Sequence, residues 1–243
     1  MPAFFVHGVP DTAALWDLVR ANIDRDDVVA LDLPGFDAPL SPGFGATKEE
    51  YVNFVIGQVE KVGEPVDIVG HDWGSILVQR VASVRPDLIR TWAAGAATID
   101  GTYVWHDLAQ MWQAPEVGEQ VMAAMTPDAI AGTLAEQLGG AERAAEVGSH
   151  VDDTMKDCVL KLYRSAANGF GAWHDDVDKV LPTRPGLVLW GADDPYVTQD
   201  FGERLAQRTD ARLVMFPDSG HWWPATKPAE TARELQLLWT SAG

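Results

Sequence analysis

Residues 66–75 read Val66-Asp67-Ile68-Val69-Gly70-His71-Asp72-Trp73-Gly74-Ser75. A short apolar run ends in Gly-x-Asp-x-Gly and passes directly into a helical pattern over Ser75–Val84. A strand, a sharp turn and a helix in immediate succession form an elbow. Glycines at 70 and 74 permit its tight backbone and leave the central side chain displayed at the helix N-terminus. Elbows of this kind usually carry serine at the centre, and here the residue is Asp72. A carboxylate is already anionic at neutral pH and needs no base to attack. It suits displacement at an alkyl carbon rather than acyl transfer.

Outward from the elbow, short apolar runs alternate with amphipathic stretches. Phe4–Val6, Val28–Leu33, Val66–Val69, Ile89–Ala94, Gly186–Trp190 and Leu213–Phe216 read as buried strands bounded by Gly, Pro or Asp. Thr12–Ile23, Lys48–Val62, Ser75–Val84, Gln199–Arg208 and Pro228–Thr240 read as helices between them. The alternation predicts an α/β fold with a mainly parallel sheet and helices on both faces. Residues 99–182 break the rhythm: they carry no strand pattern but helical ones over Tyr103–Gln113, Glu116–Met125, Pro127–Leu138 and Asp153–Ala167. This predicts a core of residues 1–98 and 166–243 and a helical cap over 99–165, set on the C-terminal edge of the sheet.

The chain has 243 residues, 47% of them hydrophobic, enough for one sizeable core. Its formal net charge of −18 argues against nucleic acid and anionic membranes as partners. It also disfavours anionic substrates. Cys158 is the single cysteine, which precludes an intrachain disulfide and fits a cytoplasmic protein. The start, Met-Pro-Ala-Phe-Phe-Val-His-Gly, has no signal-peptide pattern, and no run is long and apolar enough to span a bilayer. His106, His150 and His174 have no metal-site spacing, so neither a metal nor a cofactor is expected.

Three further segments surround the elbow with chemistry. His7-Gly8-Val9-Pro10 closes the first strand, where the Val9 N–H can join that of Trp73 as an oxyanion hole. Leu189-Trp190-Gly191-Ala192-Asp193-Asp194-Pro195 follows a later strand, and Asp194, in preference to Asp193, is placed to orient a histidine. Asp218-Ser219-Gly220-His221 follows the last strand and offers His221 as a base. The order 72, 194, 221 is that of nucleophile, acid and base in this topology. His7 is expected to brace its loop, His71 to pack beneath the elbow, and Ser75 to allow close helix packing.

With these motifs the chain resembles the α/β-hydrolase superfamily over essentially its whole length. His-Gly-Val-Pro, Gly-His-Asp-Trp-Gly-Ser, Leu-Trp-Gly-Ala-Asp-Asp-Pro and Asp-Ser-Gly-His-Trp-Trp look most like its epoxide hydrolase and haloalkane dehalogenase branch. The resemblance implies that Asp72 forms an ester with substrate. His221, held by Asp194, then activates the water that cleaves it. It also implies that epoxide opening needs an acid, supplied in that branch by cap tyrosines, whereas halide departure needs N–H donors such as Trp indoles.

Tyr163, in Leu-Tyr-Arg-Ser, matches the second cap tyrosine. Where the first belongs in Tyr-Phe-Gln-x-Pro, this chain reads Met111-Trp112-Gln113-Ala114-Pro115, leaving Tyr103 as a stand-in. Trp73 serves either leaving group, with Trp105 or Trp112 as a second halide donor. Fluoroacetate dehalogenases carry Arg at the positions of Trp73 and Ile76, so a small haloacid is not expected. An apolar, aromatic cap (Trp105, Met111, Trp112) predicts a neutral, hydrophobic small-molecule substrate contacted by Trp73, Tyr103, Trp105, Met111 and Trp112. The expected reaction is epoxide hydrolysis. Haloalkane dehalogenation and a non-catalytic ligand-binding role stand as alternatives. Most family members begin with two further strands. Without them the strand at 28–33 becomes an edge, which makes a homodimer an expectation.

Overall fold

A computed structural model describes residues 1–242. Six parallel strands, β1 (Ala3–Val6), β2 (Val28–Leu31), β3 (Val66–His71), β4 (Ile89–Gly95), β5 (Gly186–Gly191) and β6 (Arg212–Phe216), form one sheet in the order β2-β1-β3-β4-β5-β6. Each lies within two residues of its position in the sequence reading. The inner strands β1, β3, β4 and β5 are buried almost throughout, as continuous apolar runs between two helical layers must be. β2 and β6 are the edges and are only partly covered.

The helices Lys48–Glu60, Trp73–Val84, Trp173–Val180 and Gln199–Thr209 form one layer, each packing on the next. Asp17–Arg20, Trp223–Thr226 and Pro228–Ser241 form the other. Each helix starts for a local reason. Lys48–Glu60 begins at a capping box in which the Thr47 hydroxyl accepts from the Glu50 N–H and the Glu50 carboxylate accepts from the Thr47 N–H. Fully buried aromatic side chains such as Phe5, Trp16, Trp92 and Trp190 fill the space between layers. Each contributes on the order of 2 kcal/mol or more.

The chain runs from β1 outward to β2, then crosses back to β3 on the other side of β1. The connections leaving β1 and β3 therefore diverge, opening a crevice at their C-terminal ends, where open α/β sheets hold ligands. Val6 pairs with Gly70, so both strands reach that crevice at one level.

Between β4 and β5 lie Asp107–Gln113, Val117–Ala124, Pro127–Leu134, Ala141–His150 and Asp153–Ser165, followed by Trp173–Val180. The helices Ala141–His150 and Trp173–Val180 are additional to those read from sequence. Both carry an apolar spacing that the reading passed over, Ala144 and Gly148 four apart in the first and Trp173, Val177 and Val180 in the second, although Ala144, Gly148 and Val177 are the only residues they bury. Among the described residues, no helix is long and apolar enough to cross a membrane.

Candidate active site

Asp72 sits at φ +52°, ψ −124°, a conformation costly for any residue with a Cβ. Its own N–H donates to the Gly95 carbonyl at 3.0 Å, tying the elbow to the end of β4. Gly74 makes the turn possible: a Cβ there would lie 2.1 Å from the Val6 carbonyl oxygen. Gly8 is needed equally, since a Cβ would stand 2.2 Å from Asp72 Oδ1.

The Asp72 carboxylate bridges two loops. Oδ1 accepts from the Val9 N–H at 2.9 Å, and Oδ2 lies 3.5 Å from His221 Nε2. His221 Nδ1 donates to Asp194 Oδ2 at 2.8 Å. Asp194 Oδ1 is fixed in turn by the N–H groups of Tyr196 (2.8 Å) and Val197 (3.0 Å). The neighbouring Asp193 is exposed and lies outside this chain of contacts.

His71 Nε2 donates to the His221 carbonyl at 2.9 Å and holds its loop from beneath. His7 Nδ1 donates to the Gly8 carbonyl while Nε2 accepts from the Leu33 N–H, bracing the Val9 loop. Burial lowers both histidines to about 4, so both are neutral props. Ser75 is fully buried, and its hydroxyl donates to the Ala97 carbonyl at 2.6 Å, which leaves it no role in the crevice.

Burial by itself would raise the Asp72 pKa. The hydrogen bond and charge of His221, the nearness of His71 and the Val9 N–H outweigh it and hold the carboxyl below its usual value. Burial likewise opposes charge on His221, but the Asp194 carboxylate, with Asp72 behind it, raises the imidazole well above its ordinary value. Both carboxylates thus favour the charged form of the imidazole. If Asp72 lost its charge by forming an ester, His221 would lose one of these supports and become a better base.

The group faces a cavity of about 380 Å³ with a predominantly apolar wall. Trp73, Tyr103, Trp105, Trp112 and Tyr163 line it together with Val9, Asp72 and His221. Trp105 stacks on Trp73 with centroids 5.7 Å apart and meets Tyr103 and Tyr163 edge-on at 5.3 Å each. Tyr163 packs against Trp73 at 5.2 Å and Trp112 at 4.8 Å, and burial raises its phenol well above the usual range. The Tyr103 hydroxyl donates to the Tyr196 carbonyl at 3.4 Å, so its proton is engaged by the backbone. The indole N–H groups of Trp73 and Trp112 are buried without an acceptor. Trp16, Trp223 and Trp239 also carry unpaired indoles, but they do not line the cavity.

Met111 is a correction. Its side chain is 45% exposed and contributes nothing to the cavity wall. In Asp107–Gln113 the inward face carries Ala109 and Trp112, three apart, and Met111 lies one residue, about 100° of helix rotation, off that line. Among the lining residues that escaped the sequence reading are His106, Tyr196 and Trp222. Tyr196 and Trp222 immediately follow the Asp194 and His221 motifs, so proximity to those motifs was the available signal. Nothing in the sequence marked His106. Among the described residues, no group of His, Cys, Asp and Glu could hold a metal ion.

Residues 3–234 match the alpha/beta hydrolase family. The chain belongs to that family. It is a hydrolase by that membership, and its relatives divide by chemistry. An (E)-2-((N-methylformamido)methylene)succinate hydrolase of Acinetobacter baylyi is 23% identical over 97% of this chain and 89% of its own length. Epoxide hydrolase 2 of Siraitia grosvenorii is 33% identical over 92 residues, 35% of this chain and 29% of its own. Haloalkane dehalogenase DbeA of Bradyrhizobium elkani superposes with a TM-score of 0.78 at 18% identity, over 99% of this alpha/beta hydrolase and 90% of the dehalogenase. That likeness concerns the fold.

Proposed function

We propose that this alpha/beta hydrolase opens neutral, hydrophobic epoxides through a covalent ester on Asp72. The observation that carries the reading is the Asp72 carboxylate itself. It is held ionised on a strained elbow at an apolar cavity, with Val9 N–H on one oxygen and His221 near the other. In the first step an Asp72 oxygen bonds to an epoxide carbon, the carbon–oxygen bond breaks, and the released oxygen takes the Tyr163 phenolic proton. The raised phenol supports this role, since it keeps the proton until an alkoxide forms. In the second step His221, no longer facing a charged Asp72, takes a proton from water, and the hydroxide adds to the ester carbonyl. The Val9 and Trp73 N–H groups receive the oxyanion. Collapse releases a diol, and the histidine proton returns to Tyr163. On this reading residues 99–165 act as a cap that supplies Tyr163 and selects the substrate.

His221→Gln is expected to stop after the first step and accumulate a substrate-sized mass adduct on the peptide containing Asp72. Normal turnover by Asp72→Ala overturns the proposal. The two unpaired indoles at Trp73 and Trp112 support a second reading, a haloalkane as substrate and a halide as leaving group. Halide release from a haloalkane panel, retained in Tyr163→Phe, selects that reading. Saturable ligand binding with no product from either class selects a binding protein.

A further inference from the structure

The cavity wall holds two donors, on His106 and Tyr196, that neither reaction step uses. His106 Nδ1 accepts from the Ala109 N–H at 3.2 Å, capping the helix Asp107–Gln113. An acceptor Nδ1 places the ring proton of a neutral imidazole on Nε2. Burial lowers its pKa, which favours that neutral form. Tyr196 packs edge-on against it at 5.2 Å, and against His221 at 5.1 Å. The Tyr196 phenolic oxygen accepts from Gln137 Nε2 at 3.3 Å, which occupies a lone pair and leaves its proton free. Both side chains line the cavity. Their acceptor functions are consumed by the protein and their donor functions are not.

We infer that His106 and Tyr196 form a hydrogen-bonding subsite for a neutral oxygen acceptor, an ether or a ketone, carried on the substrate's apolar body away from the reacting carbon. The acceptor is neutral because no Lys or Arg lines the cavity and the Asp72 carboxylate already occupies its floor. A second buried anion there would be uncompensated. This subsite rests on the reading of Asp72 only for the identity of the reacting group, not for the hydrogen bonds themselves.

The test uses terminal alkyl epoxides of equal length in which one methylene is replaced by an ether oxygen at successive positions. Wild type is expected to favour one oxygen position over the all-carbon epoxide by about three- to tenfold in kcat/KM, the worth of a neutral hydrogen bond. Tyr196→Phe removes only the hydroxyl. His106→Ser keeps a helix cap and withdraws the ring N–H. Each is expected to erase that preference, with the loss on the ether exceeding the loss on the all-carbon epoxide by the same factor. Equal losses on both, no favoured position, or a preference for a carboxylate-bearing epoxide overturns the subsite. If no epoxide is turned over, the proposed reaction has failed but the subsite is still tested. Equilibrium binding of dialkyl ethers against alkanes of equal length, followed by Trp fluorescence, should show an ether preference lost in both variants; its absence in wild type overturns the inference.

Discussion

A carboxylate stands near each end of strand β3, and the two are treated oppositely. Asp67, at the start of the strand, is fully buried and saturated with partners: Arg25 Nη1 at 3.0 Å, Arg90 Nε at 2.9 Å and the Thr91 hydroxyl at 2.6 Å. Arg90 is itself anchored on the Trp239 carbonyl, and Arg25 lies over the Trp239 ring. Asp72, just past the other end, has one backbone N–H, a histidine at 3.5 Å and a strained backbone. A carboxylate surrounded by arginines has no orbital left to offer. One with a single firm hydrogen bond and an open face has. The same side chain, five residues along one chain path, is a structural tie at one end and, on the proposed reading, a nucleophile at the other because of what surrounds it.

That contrast can be broken by exchanging charge for amide at each end. Asp72→Asn is expected to lower turnover by about four orders of magnitude or more, the usual cost of losing a nucleophile. It should change the unfolding free energy by less than about 1 kcal/mol, because Asn tolerates positive φ and few partners are lost. Asp67→Asn is expected to do the reverse. Breaking a buried ion cluster costs about 3–5 kcal/mol in chemical denaturation, while kcat per folded molecule stays at the wild-type value. Similar stability losses from the two variants would show that the two ends are not distinct in kind.

Thr91→Val sharpens the comparison with a smaller effect. It removes one hydrogen bond to a buried charge, about 1.5–3 kcal/mol, and leaves both arginines in place.

The smallest expected effect concerns pH. His221 has a raised pKa in the fold, so its contribution to stability is complete below about 6.5 and is lost as pH rises through the folded value. Asp72 has a lowered pKa, so its contribution is complete above about 4 and is lost as pH falls through the folded value. In Asp72→Asn the imidazole keeps only Asp194, and the alkaline loss should become smaller and finish at a lower pH. Melting temperature against pH for the two proteins measures this, and identical alkaline limbs would show that Asp72 does not support the charge on His221.

Much of this was legible in the sequence wherever a function is encoded by neighbours along the chain. The strands carry their own apolar runs. The elbow is spelled by glycines two residues either side of Asp72, and Asp194 and His221 are marked by the turns that hold them. Legibility fails where position depends on packing between helices. Met111 reads as a cavity residue by composition, yet the rotation of its helix sends it outward while Trp112 goes in. Tyr103 offers the right phenol, but its hydroxyl is turned to a backbone carbonyl. His106 owes its place to a capping bond and to Tyr196, a residue 90 positions away. None of these follows from local spacing.

Because β1 and β3 are adjacent and in register, the Val9 loop and the Asp72 elbow are aligned by the stiffest part of the molecule. The helices Asp107–Gln113, Val117–Ala124 and Pro127–Leu134 stand outside that strand pairing, yet their side chains wall the cavity. On the proposed reading, a change in those three segments alters which molecules are admitted and leaves the bond between the Val9 N–H and the Asp72 carboxylate in place.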